Sequence, residues 1–283
     1  ASLGSGVEAL PAPGLRVTWD LSHSSVLPTT KSGETVARWR ITPSAKTAGV
    51  KTRFRLEYLP TGSSTWRYYA TASVPLTGAF LNEDSGTVTT LRSSTQVVYR
   101  GQVRGVLTGS AGVETLRHVV ALSMEDYLRS VVPSESPASW PAAALRAQAV
   151  AARTFAEYHR RYAPISPTWY DVYDDTRSQV FPGTKVGSAT KEHSGTDAAV
   201  AATEGTALWS AGKVALTMFG SSSGGWTAAR MERAGVLRVG GPATFAAWRV
   251  GGLAPDGLPE VRSGTDLPAC RLTVRDGVVL HSD

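Results

Sequence analysis

A carboxylate set between two prolines is the first feature of the chain with chemical potential. Glu135 stands between Pro133 and Pro137 in the stretch YLRSVVPSESPASWPAAALRAQAVAARTFAEYHRR, Tyr127 to Arg161. Proline fixes its own φ and restricts the residue before it, so this glutamate belongs to a stiffened segment. Two uses suit a carboxylate held in this way. It can satisfy the N-terminus of the helix that follows, where acids are favoured, or it can move a proton in catalysis. The helix is expected to begin after Ser139, four residues downstream of Glu135, which is far for capping. Farther along, Gln148 and Arg153 lie on or beside the inward stripe of that helix, as solvated helix residues or as groups reaching toward Glu135 or a ligand.

Other chemistries find weaker footing. Gly220 to Gly224, GSSSG, matches the nucleophile-elbow pattern with Ser222 central, and Asp256, Asp266 or Asp276 followed by His281 completes a hydrolase order. That fold needs alternating strands and helices around a parallel sheet, whereas the first hundred residues read as antiparallel. GTALWSAGKV has the wrong glycine spacing for a P-loop and places Val214 where Ser or Thr belongs. The five histidines, at 23, 118, 159, 193 and 281, show no ligand spacing. The single cysteine, Cys270, excludes an internal disulfide and a cysteine-based zinc cluster.

The elements that position Glu135 follow from periodicity. Leu15, Val17, Trp19 and Leu21 alternate with polar residues, as do Ala37, Trp39 and Ile41, then Phe54, Leu56 and Tyr58, then Trp66, Tyr68 and Ala70. Each run predicts a strand with one buried and one wet face, with SGE, PTGSS and NEDSG as turns. Core packing is the reading for the tryptophans in these runs. TQVVYRGQVRGVLTG and ETLRHVVALS extend the strands, and then the period changes. Leu122, Tyr127, Leu128 and Val131 fit a short helix. Pro141 to about Arg161 fits a long one, with Ser139 as N-cap and Leu145, Ala149, Ala152 and Ala156 inward. So many alanines imply close approach of a neighbouring element. LWSAGKVALTMF reads as a hairpin with Ala211-Gly212 at its tip.

The fold class expected is therefore α+β. Residues 1–110 form an antiparallel β-rich module, 111–227 a mixed α/β catalytic region with one long Ala-rich helix, and 228–283 a tail without assigned structure. At 283 residues, 42% of them hydrophobic, the chain can build a substantial core. No stretch approaches the roughly 18 unbroken apolar residues of a membrane span. A net charge of +6 favours acidic partners, yet Arg outnumbers Lys 23 to 6 and the charges are scattered, so no nucleic-acid module is expected.

EDYLRSVVPSESPASWPAAALRAQAVAARTFA, followed by YDVYDDTRSQVFPG and by TEGTALWSAGKVALTMFGSSSGGWT, resembles the stage II sporulation protein D (SpoIID/LytB) family. Three separated motifs in order, across roughly Val97 to Thr227, carry the resemblance. It implies a lytic transglycosylase, or a related factor, acting on bacterial peptidoglycan, with Glu135 as catalytic acid. Cleavage between N-acetylmuramic acid and N-acetylglucosamine would leave a 1,6-anhydro end. Such a role asks for an acid kept protonated near neutral pH in partly desolvated surroundings, for which Val131, Val132, Trp140 and the prolines are candidates. Gln148, Arg153 and Gln179 fall within the matched motifs and would bind sugar or orient Glu135. Ser222, Ser223 and Thr227, with backbone freed by Gly224 and Gly225, suit a loop against the glycan. Some relatives carry Cys and His in the second motif and bind zinc there. This chain has Tyr173, Arg177 and Ser178, so no zinc or other cofactor is expected. The implied partner is the peptidoglycan glycan strand, with a wall amidase as the alternative and a homodimer left open. The implied location is extracellular or wall-associated, reached through an export signal outside this chain. The alternative function is a wall-binding module or amidase enhancer without activity of its own.

Overall fold

The structure, a computed structural model, describes residues 6–18, 24–44, 53–71, 77–111, 114–164, 169–219, 245–249, 269–275 and 278–282. In chain order the strands β1 Val7–Ala9, β2 Leu15–Thr18, β3 Ser24–Val26, β4 Thr30–Lys31, β5 Glu34–Pro43 and β6 Phe54–Pro60 come first. They continue as β7 Arg67–Thr71, β8 Thr77–Asn82, β9 Thr87–Arg92, β10 Thr95–Arg100, β11 Gln102–Thr108 and β12 Thr115–Ala121. Helices α1 Met124–Glu135 and α2 Ala142–Tyr162 follow, then β13 Lys185–Val186, β14 Ala189–Thr190, α3 Ser194–Ala202, β15 Trp209–Ser210 and β16 Lys213–Val214. Residues Ala1–Thr217 form one compact unit, and Met218–Asp283 a second. The class is α+β, as the sequence predicts.

All described strand pairs are antiparallel. One sheet runs β14-β13-β10-β9-β1-β5-β6-β7, with β4 on β5, and another runs β12-β11-β8-β2-β3. The two lie face to face. Gly78 of β8 and Gly105 of β11 are cross-strand partners. A methyl group on Gly78 would meet Ile41 at 3.1 Å, and one on Gly105 would meet Phe54 and Val7 at 3.4 Å. The glycine pair is thus the hollow that admits the fully buried Phe54 and Ile41 of the opposite sheet.

The period-two reading holds for Leu15, Val17, Phe54, Leu56 and Tyr58, all buried. Trp19 and Leu21 lie outside the described residues. In β5 the inward set is Val36, Trp39 and Ile41 rather than one beginning at Ala37, because the register shifts between Val36 and Arg38. In β7 the expectation reverses. Tyr68 is 58% exposed, while Tyr69 points inward and meets Trp39 edge-on at 5.0 Å. A second shift, between Leu56 and Glu57, inserts the extra residue that turns the strand over. Trp66 lies under the Arg40 guanidinium, 4.1 Å from the ring centroid, rather than in the core.

The helices obey local rules. Ser123 caps α1, its Oγ accepting the Asp126 N–H, and Glu125 and Asp126 fill the first turn. Pro133 lies inside the last turn, and the helix ends two residues later. In α2 the predicted stripe of Leu145, Ala149, Ala152 and Ala156 is buried. The N-cap is Pro141, with no side-chain bond, so Ser139 does not serve as the cap. The Trp209–Val214 hairpin turns at Ala211 and Gly212, both with positive φ as a two-residue turn needs. In the second unit β17 Phe245–Arg249, β18 Ala269–Arg275 and β19 Val278–Ser282 form an antiparallel three-stranded sheet, where the sequence suggested structure only in CRLTVRDGVVL. Among the described residues no helix is long and apolar enough to cross a membrane.

β13 bears on the site most directly. It follows the YDVYDDTRSQVFPG loop and pairs Val186 with Val97 and Lys185 with Val98 of β10, so the loop is tied to the N-terminal sheet. Gly183 makes the approach possible. Its φ is +94°, and a Cβ there would lie 2.6 Å from the Val98 carbonyl oxygen. Gly183→Ala should therefore lower the unfolding free energy by about 1–3 kcal/mol, read as a lower urea midpoint. An unchanged midpoint would mean that the loop is not anchored here.

Candidate functional site

Glu135 is the last residue of α1 and not part of a free loop between prolines. In that position it does not stabilise α1. A helix C-terminus carries partial negative charge, so a carboxylate there opposes the helix it ends. The side chain is half-buried, and its Oε1 accepts the Val180 backbone N–H at 2.7 Å. Among the described residues it forms no ion pair, and Oε2 has no hydrogen bond. One oxygen is fixed, and the other has no partner among the described residues. Of the surroundings predicted for it, Val131 and Val132 are fully buried in the core, whereas Trp140 is 50% exposed.

The donor loop is held from three sides. Gln179, fully buried, accepts the Tyr127 hydroxyl at 2.9 Å and donates to the Ala152 carbonyl at 3.3 Å, so it bridges α1 and α2. Ser130 donates to the Gly183 carbonyl at 2.8 Å. Phe181 packs on Tyr127 and Tyr99 with centroids 5.2 and 6.0 Å apart. Burial pushes the Tyr127 phenol well above its ordinary range, and the charges of Glu135 and Asp174 push it further. It stays a neutral donor to Gln179.

Arg153 is 3% exposed, and all five of its N–H groups are used. Nε and Nη2 grip Glu125 bidentately at 2.8 and 2.6 Å. The remaining donors reach Thr203 Oγ1, the Thr206 carbonyl and the Val200 carbonyl at 3.2–3.3 Å. With no donor free, Arg153 positions α1, α2 and the end of α3 rather than a sugar. Gln148 lies one turn before Ala152 on α2. Its Nε2 is sealed from solvent without an acceptor among the described residues, a costly state that a ligand oxygen would relieve. The structure therefore joins Glu135, through Val180, to Gln179, and joins Gln179 to the Ala152 level of α2. It sets Arg153 apart as scaffold. Ser222, Ser223, Gly224, Gly225 and Thr227 lie outside the described residues.

In the second motif Tyr173, Arg177 and Ser178 are engaged with one another and with Asp175. The Tyr173 N–H donates to Ser178 Oγ at 3.1 Å, and the Arg177 guanidinium lies 3.7 Å from the Tyr173 ring centroid. Arg177 also grips Asp175, holding that carboxyl down to about 2. A phenol, a hydroxyl and a guanidinium do not fit a zinc ion, which takes thiolate, imidazole or carboxylate. Around the motif are residues that the sequence reading missed. Arg92 bridges to Asp174 at 3.2 Å, and beside them His118 meets Tyr99 edge-on at 6.0 Å. Burial, assisted by Arg92, lowers the His118 pKa to about 4, and its sealed Nε2 has no partner among the described residues.

Residues 113–209 match the family model described as SpoIID, Stage II sporulation protein. The resemblance read from the motifs holds for this segment. An uncharacterized protein of Brachyspira hyodysenteriae is 38% identical over 115 residues, which is 40% of this chain and 29% of that protein. An amidase enhancer of Bacillus subtilis is 39% identical over 105 residues, 37% of this chain and 13% of that protein. The alignments thus span less than a third of either relative. No solved structure matches the chain.

Two outcomes test this architecture. Arg153→Met takes the guanidinium from Glu125, whose Oε1 keeps only the Gly205 N–H, and removes one donor each from Thr203 Oγ1 and the Thr206 and Val200 carbonyls. It should cost about 3–5 kcal/mol in denaturant unfolding, partly recovered by adding Glu125→Gln. Normal stability with lost activity would instead place Arg153 against substrate. His118 is held neutral when folded and takes up a proton more readily when unfolded. Its contribution is full above about pH 6.5 and is lost as pH falls toward 4, by at most about 3 kcal/mol. His118→Phe keeps the ring contact and should move the acid-unfolding midpoint to lower pH.

Proposed function

We propose that the chain is a lytic transglycosylase of peptidoglycan glycan strands, with Glu135 as its single acid–base group. The match of residues 113–209 to the SpoIID family, and the likeness to a protein named amidase enhancer, support a role at the cell wall. The observation that carries the finer reading is the asymmetry of the Glu135 carboxyl. Val180 N–H fixes one oxygen, and among the described residues no cation neutralises the group and the second oxygen has no hydrogen-bond partner.

In this reaction protonated Glu135 gives its proton to the oxygen linking C1 of N-acetylmuramic acid to C4 of N-acetylglucosamine, and that C1–O bond breaks. The C6 hydroxyl oxygen of the same muramic residue bonds to C1, and the Glu135 carboxylate takes the hydroxyl proton. The products are a 1,6-anhydro end and a free 4-hydroxyl, and no water is consumed. Ordinary glycosidases need a second carboxylate to attack or to activate water. Here the nucleophile belongs to the substrate, so effective concentration replaces the second group. Gln148 Nε2, sealed from solvent and without an acceptor among the described residues, would need its surroundings to open before it could donate to a sugar oxygen.

The second reading is favoured by the name of the Bacillus subtilis relative. In it the chain holds glycan without cutting and assists a wall amidase. Either role places the protein outside the cell or at the wall. Product analysis separates them. Wild-type protein alone, incubated with purified sacculi, should release anhydro-muropeptides detected by mass spectrometry, and Glu135→Gln should slow release by about 10²–10⁴-fold. Glycan retention without anhydro products, or normal cleavage by Glu135→Gln, would replace the proposal with the enhancer reading or with another acid.

A further inference from the structure

The loop that supplies Val180 also carries an aromatic cluster that the reaction does not use. Trp169 and Tyr170 touch with centroids 4.3 Å apart, and Tyr170 and Tyr173 with centroids 5.5 Å apart. All three are half-buried and keep exposed ring surface, unlike Trp39 or Phe54 in the core. The cluster is braced by the Arg177 guanidinium on Tyr173 and by the Ser178 hydroxyl on the Tyr173 N–H. The Arg177 guanidinium, paired with Asp175, lies against the Tyr173 ring at the edge of the cluster.

Its place relative to Glu135 follows from the backbone. Glu135 accepts from Val180, and the next residue, Phe181, donates its N–H to the Asp174 carbonyl at 3.1 Å. Asp174 is the covalent neighbour of Tyr173. The path from carboxylate to cluster is therefore two short hydrogen bonds and two peptide units of about 3.8 Å each. A ligand whose bond is cut at Glu135 and which continues along this loop meets the rings a sugar or two away.

We propose that Trp169 and Tyr170 form a saccharide subsite that stacks a ring of the glycan strand flanking the scissile bond. This rests on the transglycosylase reading for its ligand, but its test does not need cleavage. Sugar rings present flat C–H faces that match the electron-rich face of an aromatic, and preorganised rings lose little entropy on binding. Core packing alone would bury these rings.

The test uses the Glu135→Gln protein, so that binding is read without turnover. Sedimentation with purified sacculi should show about tenfold weaker retention for Trp169→Ala and for Tyr170→Ala, about 1.4 kcal/mol each. Tyr170→Phe should bind as before, because the ring and not the hydroxyl makes the contact. Unchanged retention in both alanine variants, with unchanged melting temperature, overturns the subsite and leaves the role of Glu135 untouched. Should the alanine variants melt early, N-bromosuccinimide oxidation of the Glu135→Gln protein decides. Protection of Trp169 by a chitooligosaccharide, read by peptide mass spectrometry, supports the subsite, and oxidation at the unprotected rate overturns it.

Discussion

The bidentate pair between Arg153 and Glu125 is the constraint on which the rest of the molecule depends. Glu125 sits in the first turn of α1, Arg153 in the middle of α2, and the other acceptors of Arg153 at and just beyond the end of α3. A buried guanidinium is costly to desolvate, and only complete satisfaction of its donors makes it tolerable. That requirement admits one relative placement of the three helices. Because α1 runs from Glu125 to Glu135, fixing its start also fixes the direction and depth of the carboxylate at its end.

The second layer of control is the loop that meets Glu135. Gln179 reads two helices at once, through the Tyr127 hydroxyl and the Ala152 carbonyl, and its neighbour Val180 reports that geometry to the carboxylate. The far end of the loop enters the N-terminal sheet as β13. The site is thus assembled between a helical layer and a sheet that is remote in sequence, and each half restrains one side of the same short segment. Positional tolerance in proton transfer is small, so a carboxylate held by only one of them would be less useful.

Much of this was legible in the sequence, and the failures have definite causes. The alanine stripe of α2, the hairpin at Ala211-Gly212 and the buried alternation of Phe54, Leu56 and Tyr58 follow from periods and turn chemistry that neighbouring elements do not override. Tyr68 and Ala37 were misplaced because a bulge shifts the two-residue phase, and a bulge leaves no reliable mark in one strand read alone. Glu135 was recognised, but its setting was not. Pro133 and Pro137 read as stiffening a segment between helices, whereas a proline in the last turn lets a helix run on briefly before it stops. Arg153 reads as a solvated helix residue or as one reaching toward Glu135 or a ligand because Glu125, its partner, lies 28 residues away, and no local pattern announces such a pairing. The Arg92–Asp174 bridge, over a still longer span, was hidden for the same reason.

The shared sheet has one more consequence, for how the chain reaches its final form. The β10 edge at Val97 and Val98 receives its last partner from Lys185 and Val186, almost ninety residues later. During synthesis, or in any fragment ending before that point, this row of backbone donors and acceptors stands open. An open edge of β-branched residues invites pairing with a foreign strand. Contacts so distant along the chain also close slowly, since loop entropy is lost before the pairing repays it. The segment that presents the Glu135 partner therefore doubles as a sealing strip against self-association.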